Sequence, residues 1–279
     1  MRMSRFAVIL IMILSCLLIS SLLAPLALAD WKEGDPYKMH FPQLPDEDGW
    51  DVNATFPNVL ADDWQCTETG LIKDIHFWGS WKDGVVGDIA VFHLSIHNNI
   101  PAGFMNYSTP GDVLWEYEVP INQVEVIGPI HSTQLEGWYD PSVIPPDASA
   151  RDHSEYFQYN ILLPENLWFW QQASEIYWLD ISARVLPDTT GGQPLWGWKT
   201  ADISRYPDPR SHFMDDAVID RLDSPQGWVE LTEPFTDESL DLAFVVTPEL
   251  PTVALLSVGV LGVLGYFGFR RFRRKSTVS

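Results

Sequence analysis

Ile176-Tyr177-Trp178-Leu179-Asp180-Ile181-Ser182-Ala183-Arg184-Val185 places apolar and polar side chains at alternate positions along most of its length. Tyr177, Leu179, Ile181, Ala183 and Val185 fall on one face of an extended chain, and Asp180, Ser182 and Arg184 fall on the other. A helix would scatter the same apolar set around its circumference, because its side chains repeat every ~3.6 residues instead of every second one. The segment therefore reads as a strand with one face in a core. The same period recurs on either side of it. Ile75 and Phe77 share a face within 74–81, and Phe92, Leu94 and Ile96 oppose His93, Ser95 and His97. Trp115, Tyr117 and Val119 oppose Glu116 and Glu118; Phe157, Tyr159, Ile161 and Leu163 oppose Gln158 and Asn160; Leu242, Phe244 and Val246 close the series.

Turn-forming residues punctuate the gaps, as in Pro101-Ala102-Gly103, Pro110-Gly111, Gly128-Pro129, Pro145-Pro146, Gly191-Gly192 and Pro207-Asp208-Pro209. No stretch between these strands carries a convincing helical stripe. Many short strands with regular turns predict an all-β chain folded as an antiparallel β-sandwich, with jelly-roll connectivity as one form of it. Residues 30–58, rich in Pro, Asp and Gly and without periodicity, read as an extended N-terminal segment, and 59–247 as the sandwich itself.

The two ends carry signals of a different kind. Met1, Arg2 and Arg5 precede an uncharged run from Phe6 to Ala29 that ends in Ala27-Leu28-Ala29, the three parts of a signal peptide over 1–29. An uncleaved anchor and a lipid-modified Cys16 are the alternatives. Val253 to Phe269 is uncharged and long enough to cross a bilayer at about 1.5 Å per residue. Arg270, Arg271, Arg273, Arg274 and Lys275 follow, and such a cluster stays on the cytoplasmic side, so the reading puts 30–248 outside the cell.

In front of that apolar segment stand Pro248, Glu249, Leu250 and Pro251. This motif, the apolar run and the Arg cluster together resemble the PEP-CTERM and PEF-CTERM sorting signals of bacteria and archaea, with Leu250 departing from the usual third position. The resemblance implies an exosortase-like or archaeosortase-like sorting enzyme as a partner, and membrane anchoring at least until processing. Leu60-Ala61-Asp62-Asp63-Trp64-Gln65-Cys66, Ile75-His76-Phe77-Trp78-Gly79-Ser80, Gly111 to Tyr117, Tyr177 to Ala183, Trp196-Gly197-Trp198-Lys199-Thr200 and Asp215-Asp216-Ala217-Val218 together resemble a family of uncharacterised secreted bacterial β domains. That family brings no activity and no catalytic residue with it.

Composition narrows the function. The span 30–248 holds ten basic residues against 37 acidic ones, a net charge of −27, which repels nucleic acid and anionic lipid. Calcium capture is one use for such a surface; a solvated acidic face is the plainer one. Cys66 is the only thiol left after signal removal, which excludes an intrachain disulfide framework and a multi-cysteine metal site. All 13 Trp residues lie in the same span, ample apolar surface for a core.

Three groups of residues are candidates for sites. Trp81, Trp138, Trp196 and Trp198 lie beside Gly, Lys or turn residues, and Trp196 and Trp198 share a strand face, so they could stack on sugar rings. They could equally fill a core. Asp62-Asp63 and Asp215-Asp216 are the calcium candidates, although neither pair sits in a recognisable calcium loop. His76, His93 and His97 do not form a metal site by sequence, because i and i+4 on a strand are about 13 Å apart. No nucleophile elbow, zinc-binding helix motif, phosphate loop or dinucleotide fingerprint occurs. The expectation is a non-catalytic surface or matrix protein; a carbohydrate-binding module that meets extracellular polysaccharide through exposed Trp is the alternative, and a secreted glycoside hydrolase-like enzyme the third.

Overall fold

A computed structural model describes residues 31–103, 107–206, 217–222 and 227–248. Fourteen strands follow in chain order among them: β1 (Trp50–Asn53), β2 (Asn58–Gln65), β3 (Gly70–Ile72), β4 (Asp74–Trp81), β5 (Ile89–Ile100), β6 (Thr109–Pro120), β7 (Glu125–Asp140), β8 (Asp147–Leu162), β9 (Phe169–Gln171), β10 (Ile176–Val185), β11 (Trp196–Lys199), β12 (Val218–Arg221), β13 (Val229–Glu230) and β14 (Phe244–Thr247). They form two six-stranded sheets and a small β3–β9 ribbon. The first sheet runs β11-β1-β7-β8-β4-β14 and the second β13-β12-β2-β10-β5-β6. Pairing is antiparallel throughout except between β1 and β7. The chain is an all-β protein with its sheets in a sandwich-like arrangement.

The periodic strands turn their apolar faces to one another. Leu179, Ile181 and Ala183 of β10, Phe92, Leu94 and Ile96 of β5, and Leu60 and Trp64 of β2 meet Phe77 of β4, Tyr159 and Ile161 of β8, and Phe244 and Val246 of β14 in one core. Phe77 stacks on Tyr159 at 5.3 Å between ring centres, and Phe92 meets Trp196 edge-on at 5.0 Å. Burying each such side chain contributes about 1.5–3 kcal/mol, and a well-placed ring pair adds roughly 0.5–1.5 kcal/mol.

Two features go beyond the periodic reading. The N-terminal segment is part of the fold: β1 pairs on both sides, and Trp31, Met39 and Leu44 are buried. Trp31 packs edge-on against Trp78, and its carbonyl accepts a hydrogen bond from the Gln158 side chain, which buries a polar strand face that alternation alone assigns to solvent. The first sheet also closes on itself, because β11 pairs with β4 as well as with β1, making a ring β1-β7-β8-β4-β11. Residues 1–29, Glu249 to Pro251 and the apolar run 253–269 lie outside the described residues; among those described, no helix is long and apolar enough to cross a membrane.

Candidate functional site

Strand register builds a cleft on the outer face of the second sheet. Glu116 of β6, Ser95 of β5, Asp180 of β10, Ala61 of β2 and Val218 of β12 lie in one row across that face. Glu118, His93 and Ser182 continue in the next row, with Val59 and Asp220 beyond them. Ser95, Ser182 and Ala61 give the middle strands short side chains beside His93 and Asp180, while Glu116 and Glu118 stand on β6 and Asp220 on β12 at either end. With Trp228 the result is a cavity of about 390 Å³, within the usual size of a small-ligand site.

At the base of the cleft, Ser95, His97 and Asp180 form a tight network. His97 Nδ1 lies 3.0 Å from the Gly111 carbonyl and Nε2 lies 2.7 Å from Asp180 Oδ2. Burial works against a charge on His97, but the Asp180 carboxylate and the Gly111 carbonyl outweigh it and raise the imidazole pKa. Both ring nitrogens face acceptors, an arrangement that an imidazole with a proton on each nitrogen satisfies. Ser95 donates its hydroxyl to Asp180 Oδ2 at 2.5 Å and lies 2.8 Å from His97 Nε2. In a nucleophilic triad the acid orients one ring nitrogen and the serine hands its proton to the other. Here both groups face Nε2 and the serine proton goes to the acid, so Ser95 is not an activated nucleophile. The network holds β5, β6 and β10 in place beneath the cleft.

The cleft walls are less well compensated. Glu118 faces Arg184 at 3.8 Å and His93 at 4.0 Å. Asp220 is half-buried, and burial first, then the charge of Asp180, raises its pKa. Ser182, only 3 % exposed, sits in the floor. Neither Ser182 nor Asp220 hydrogen-bonds a side chain of another described residue.

The aromatic platform expected from sequence is overturned. Trp81, Trp138, Trp196 and Trp198 are all buried, the last three with no exposed surface. Trp196 donates its indole N–H to the Tyr159 hydroxyl at 3.0 Å and Trp198 to the Ala243 carbonyl at 2.9 Å, so both point into the core between the sheets. Adjacent Gly marks close packing and not exposure: a Cβ on Gly197 would sit 2.9 Å from the Trp138 ring. Trp228, which sequence reasoning passed over, lines the cleft and meets His97 edge-on at 6.1 Å.

The Asp62-Asp63 calcium pair is likewise corrected. Neighbouring residues of β2 point to opposite faces, and both are buried. Asp62 turns inward and accepts from the Leu242 backbone N–H at 2.6 Å and the Gln43 side chain at 3.1 Å, bracing β2 against the chain entering β14. Asp215 and Asp216 lie outside the described residues. His76 sits in the other sheet, 2.6 Å from Asn160, and Cys66 is buried, with burial raising its thiol pKa.

A second polar constellation occupies the closed ring, each of whose five strands contributes one side chain: Asp51 from β1, Glu136 from β7, His153 from β8, Ser80 from β4 and Lys199 from β11. All are buried. Ligand-type atoms of Asp51, Glu136 and His153 lie within 4.8 Å of one another, as at a metal centre. Lys199 Nζ, however, stands 2.5 Å from Glu136 and 3.5 Å from Asp51, so a cation of the chain itself already fills that role. His153 lies 3.1 Å from Asp51, 2.9 Å from Asp152 and 2.6 Å from the Ser80 hydroxyl. Burial disfavours its charge, yet bonds to Asp51 and Glu136 push its pKa up to about 10. Burial also works against the Asp51 charge, but Lys199 and His153 outweigh it and lower that pKa. Lys199 and His153 thus match the charges of Asp51 and Glu136 inside the buried ring.

Fold and cleft together define a β-sandwich module with a polar concavity on one outer face. The chain belongs to the family described as Domain of unknown function (DUF7901), which it matches over residues 39–247. No curated protein and no solved structure matches it.

Proposed function

We propose that this protein is a non-catalytic, surface-displayed binding module whose outer-face cleft holds a saccharide. The observation that carries the reading is the cleft itself: a concavity whose walls mix carboxylates with apolar side chains, with Trp228 beside it and the Ser182 hydroxyl open to a ligand. Sugars are bound by such combinations of hydroxyl-binding polar groups and one aromatic face. The acceptors at both His97 nitrogens and the proton direction at Ser95 support a role without acyl transfer.

Display outside the cell is supported by the signal-peptide pattern of 1–29 and by the tail, in which Pro248, Glu249, Leu250 and Pro251 address an exosortase-like enzyme and 253–269 provides the membrane segment. The −27 charge of the span 30–248 keeps nucleic acid off the list of partners and leaves extracellular polysaccharide on it. A glycan array and polysaccharide pull-down with the full chain, run with calcium and with chelator, test the reading. Ser182→Trp fills the floor and is expected to abolish binding while the fold persists. Folded protein that binds no glycan, or binding indifferent to Ser182→Trp, overturns it. The neighbouring carboxylates Asp180 and Asp220, the latter with a raised pKa, favour glycoside hydrolysis as a second reading, which release of new reducing ends would establish.

A further inference from the structure

The cleft has a charge inventory that narrows its ligand. Four carboxylates line it, Glu116, Glu118, Asp180 and Asp220, against one guanidinium, Arg184, and two imidazoles, His93 and His97. His97 is committed to Asp180, and Arg184 faces Glu118. Glu116 and Asp220 are left with no ion pair to any described residue, on opposite walls of the same concavity. Asp220 is half-buried while Glu116 is exposed, and a half-buried carboxylate without a counter-charge is poorly solvated and gains most from a ligand that brings the positive charge with it. A primary ammonium supplies that charge with three N–H donors. Ser182, nearly wholly buried with its hydroxyl unpartnered in the floor, adds an independent polar contact suited to a ring hydroxyl or ring oxygen.

Resting on the saccharide reading of this cleft, we propose that it selects amino-sugar oligomers, one free ammonium group meeting Asp220 beside Ser182 and another meeting Glu116 on the far wall. Neutral sugars lack the charge, N-acetylated sugars have lost it, and uronic acids bring the wrong sign.

The test is calorimetric titration of the full chain with a glucosamine oligosaccharide, with the same oligosaccharide N-acetylated, and with a glucose oligosaccharide. Because an acidic surface attracts any polycation, Glu155→Gln on β8 of the other sheet serves as the control for general charge. The free-amine form is expected to bind about ten-fold or more tighter than the acetylated one, in keeping with a charge-assisted hydrogen bond. That preference is lost in Asp220→Asn and retained in Glu155→Gln. If Asp220→Asn does not fold, Glu116→Gln carries the same comparison. Equal binding of the free and acetylated forms overturns the amino-sugar assignment and leaves the saccharide reading intact. A preference that survives both cleft variants also overturns it, by showing general surface attraction. Failure of all three sugars to bind overturns both readings.

Discussion

Replacing Lys199 with Met tests whether the ring is held by charge balance. The substitution keeps most of the side-chain volume and removes the ammonium that stands 2.5 Å from Glu136 and 3.5 Å from Asp51. Both carboxylates, like Lys199 itself, have no exposed surface, so water cannot take over. Breaking a buried ion pair by removing one partner costs about 3–5 kcal/mol, because the surviving charge stays unpaired in a poorly polarisable interior. Against a typical total of about 5–15 kcal/mol that is a large share, and for a domain of this size it lowers Tm by roughly 6–20 °C. The assay is urea unfolding followed by Trp fluorescence, read as a fall in midpoint at constant slope. A companion variant, Glu136→Gln with Lys199→Met, removes one charge of each sign and is expected to recover part of the loss. The His153 charge adds a pH dependence of defined sign. Its pKa is raised in the folded state to about 10, so its stabilisation is complete below the ordinary imidazole value near 6.5 and is lost as pH rises through about 10. A Lys199→Met loss below about 1 kcal/mol, or a double variant no better than the single one, would refute the charge-balance argument.

Trp198→Ala removes a ring with no exposed surface and leaves a cavity beside Phe77 and Phe244; it is expected to destabilise the domain by about 3–5 kcal/mol in the same unfolding assay, and not to act through a ligand. Gly197→Ala drives a methyl to 2.9 Å from the Trp138 ring and 3.0 Å from the Asp51 backbone, a cost of about 1–3 kcal/mol checked by thermal unfolding. Asp62→Ala leaves the Leu242 N–H and the Gln43 amide without their acceptor inside the sandwich and is expected to cost about 1–3 kcal/mol, with faster hydrogen exchange at Leu242.

What the sequence reveals and what it hides divide along one physical line. Alternation reports on a strand's own two faces, and it locates β4, β5, β6, β8 and β10 because each puts an unbroken apolar set into the core. It does not report what covers the polar face. Ser95, His97, Asp180 and Ser182 stand on the polar faces that the alternation assigns to them, but that face is a cleft floor because β6 and β12 rise on either side of it, and only strand register shows this. The ring is hidden for the same reason: Asp51, Ser80, Glu136, His153 and Lys199 come from five strands spread over much of the chain, and no local pattern links them. Trp196 and Trp198 do share a face, as their spacing requires, but spacing cannot say which way that face turns. Here Gly197 decides it, since the missing side chain lets Trp138 and Asp51 close over the opposite side of β11 and leaves the two indoles to the core. A Gly between two Trp residues is thus a mark of close packing, and the aromatic ring at the cleft is Trp228, beside His97.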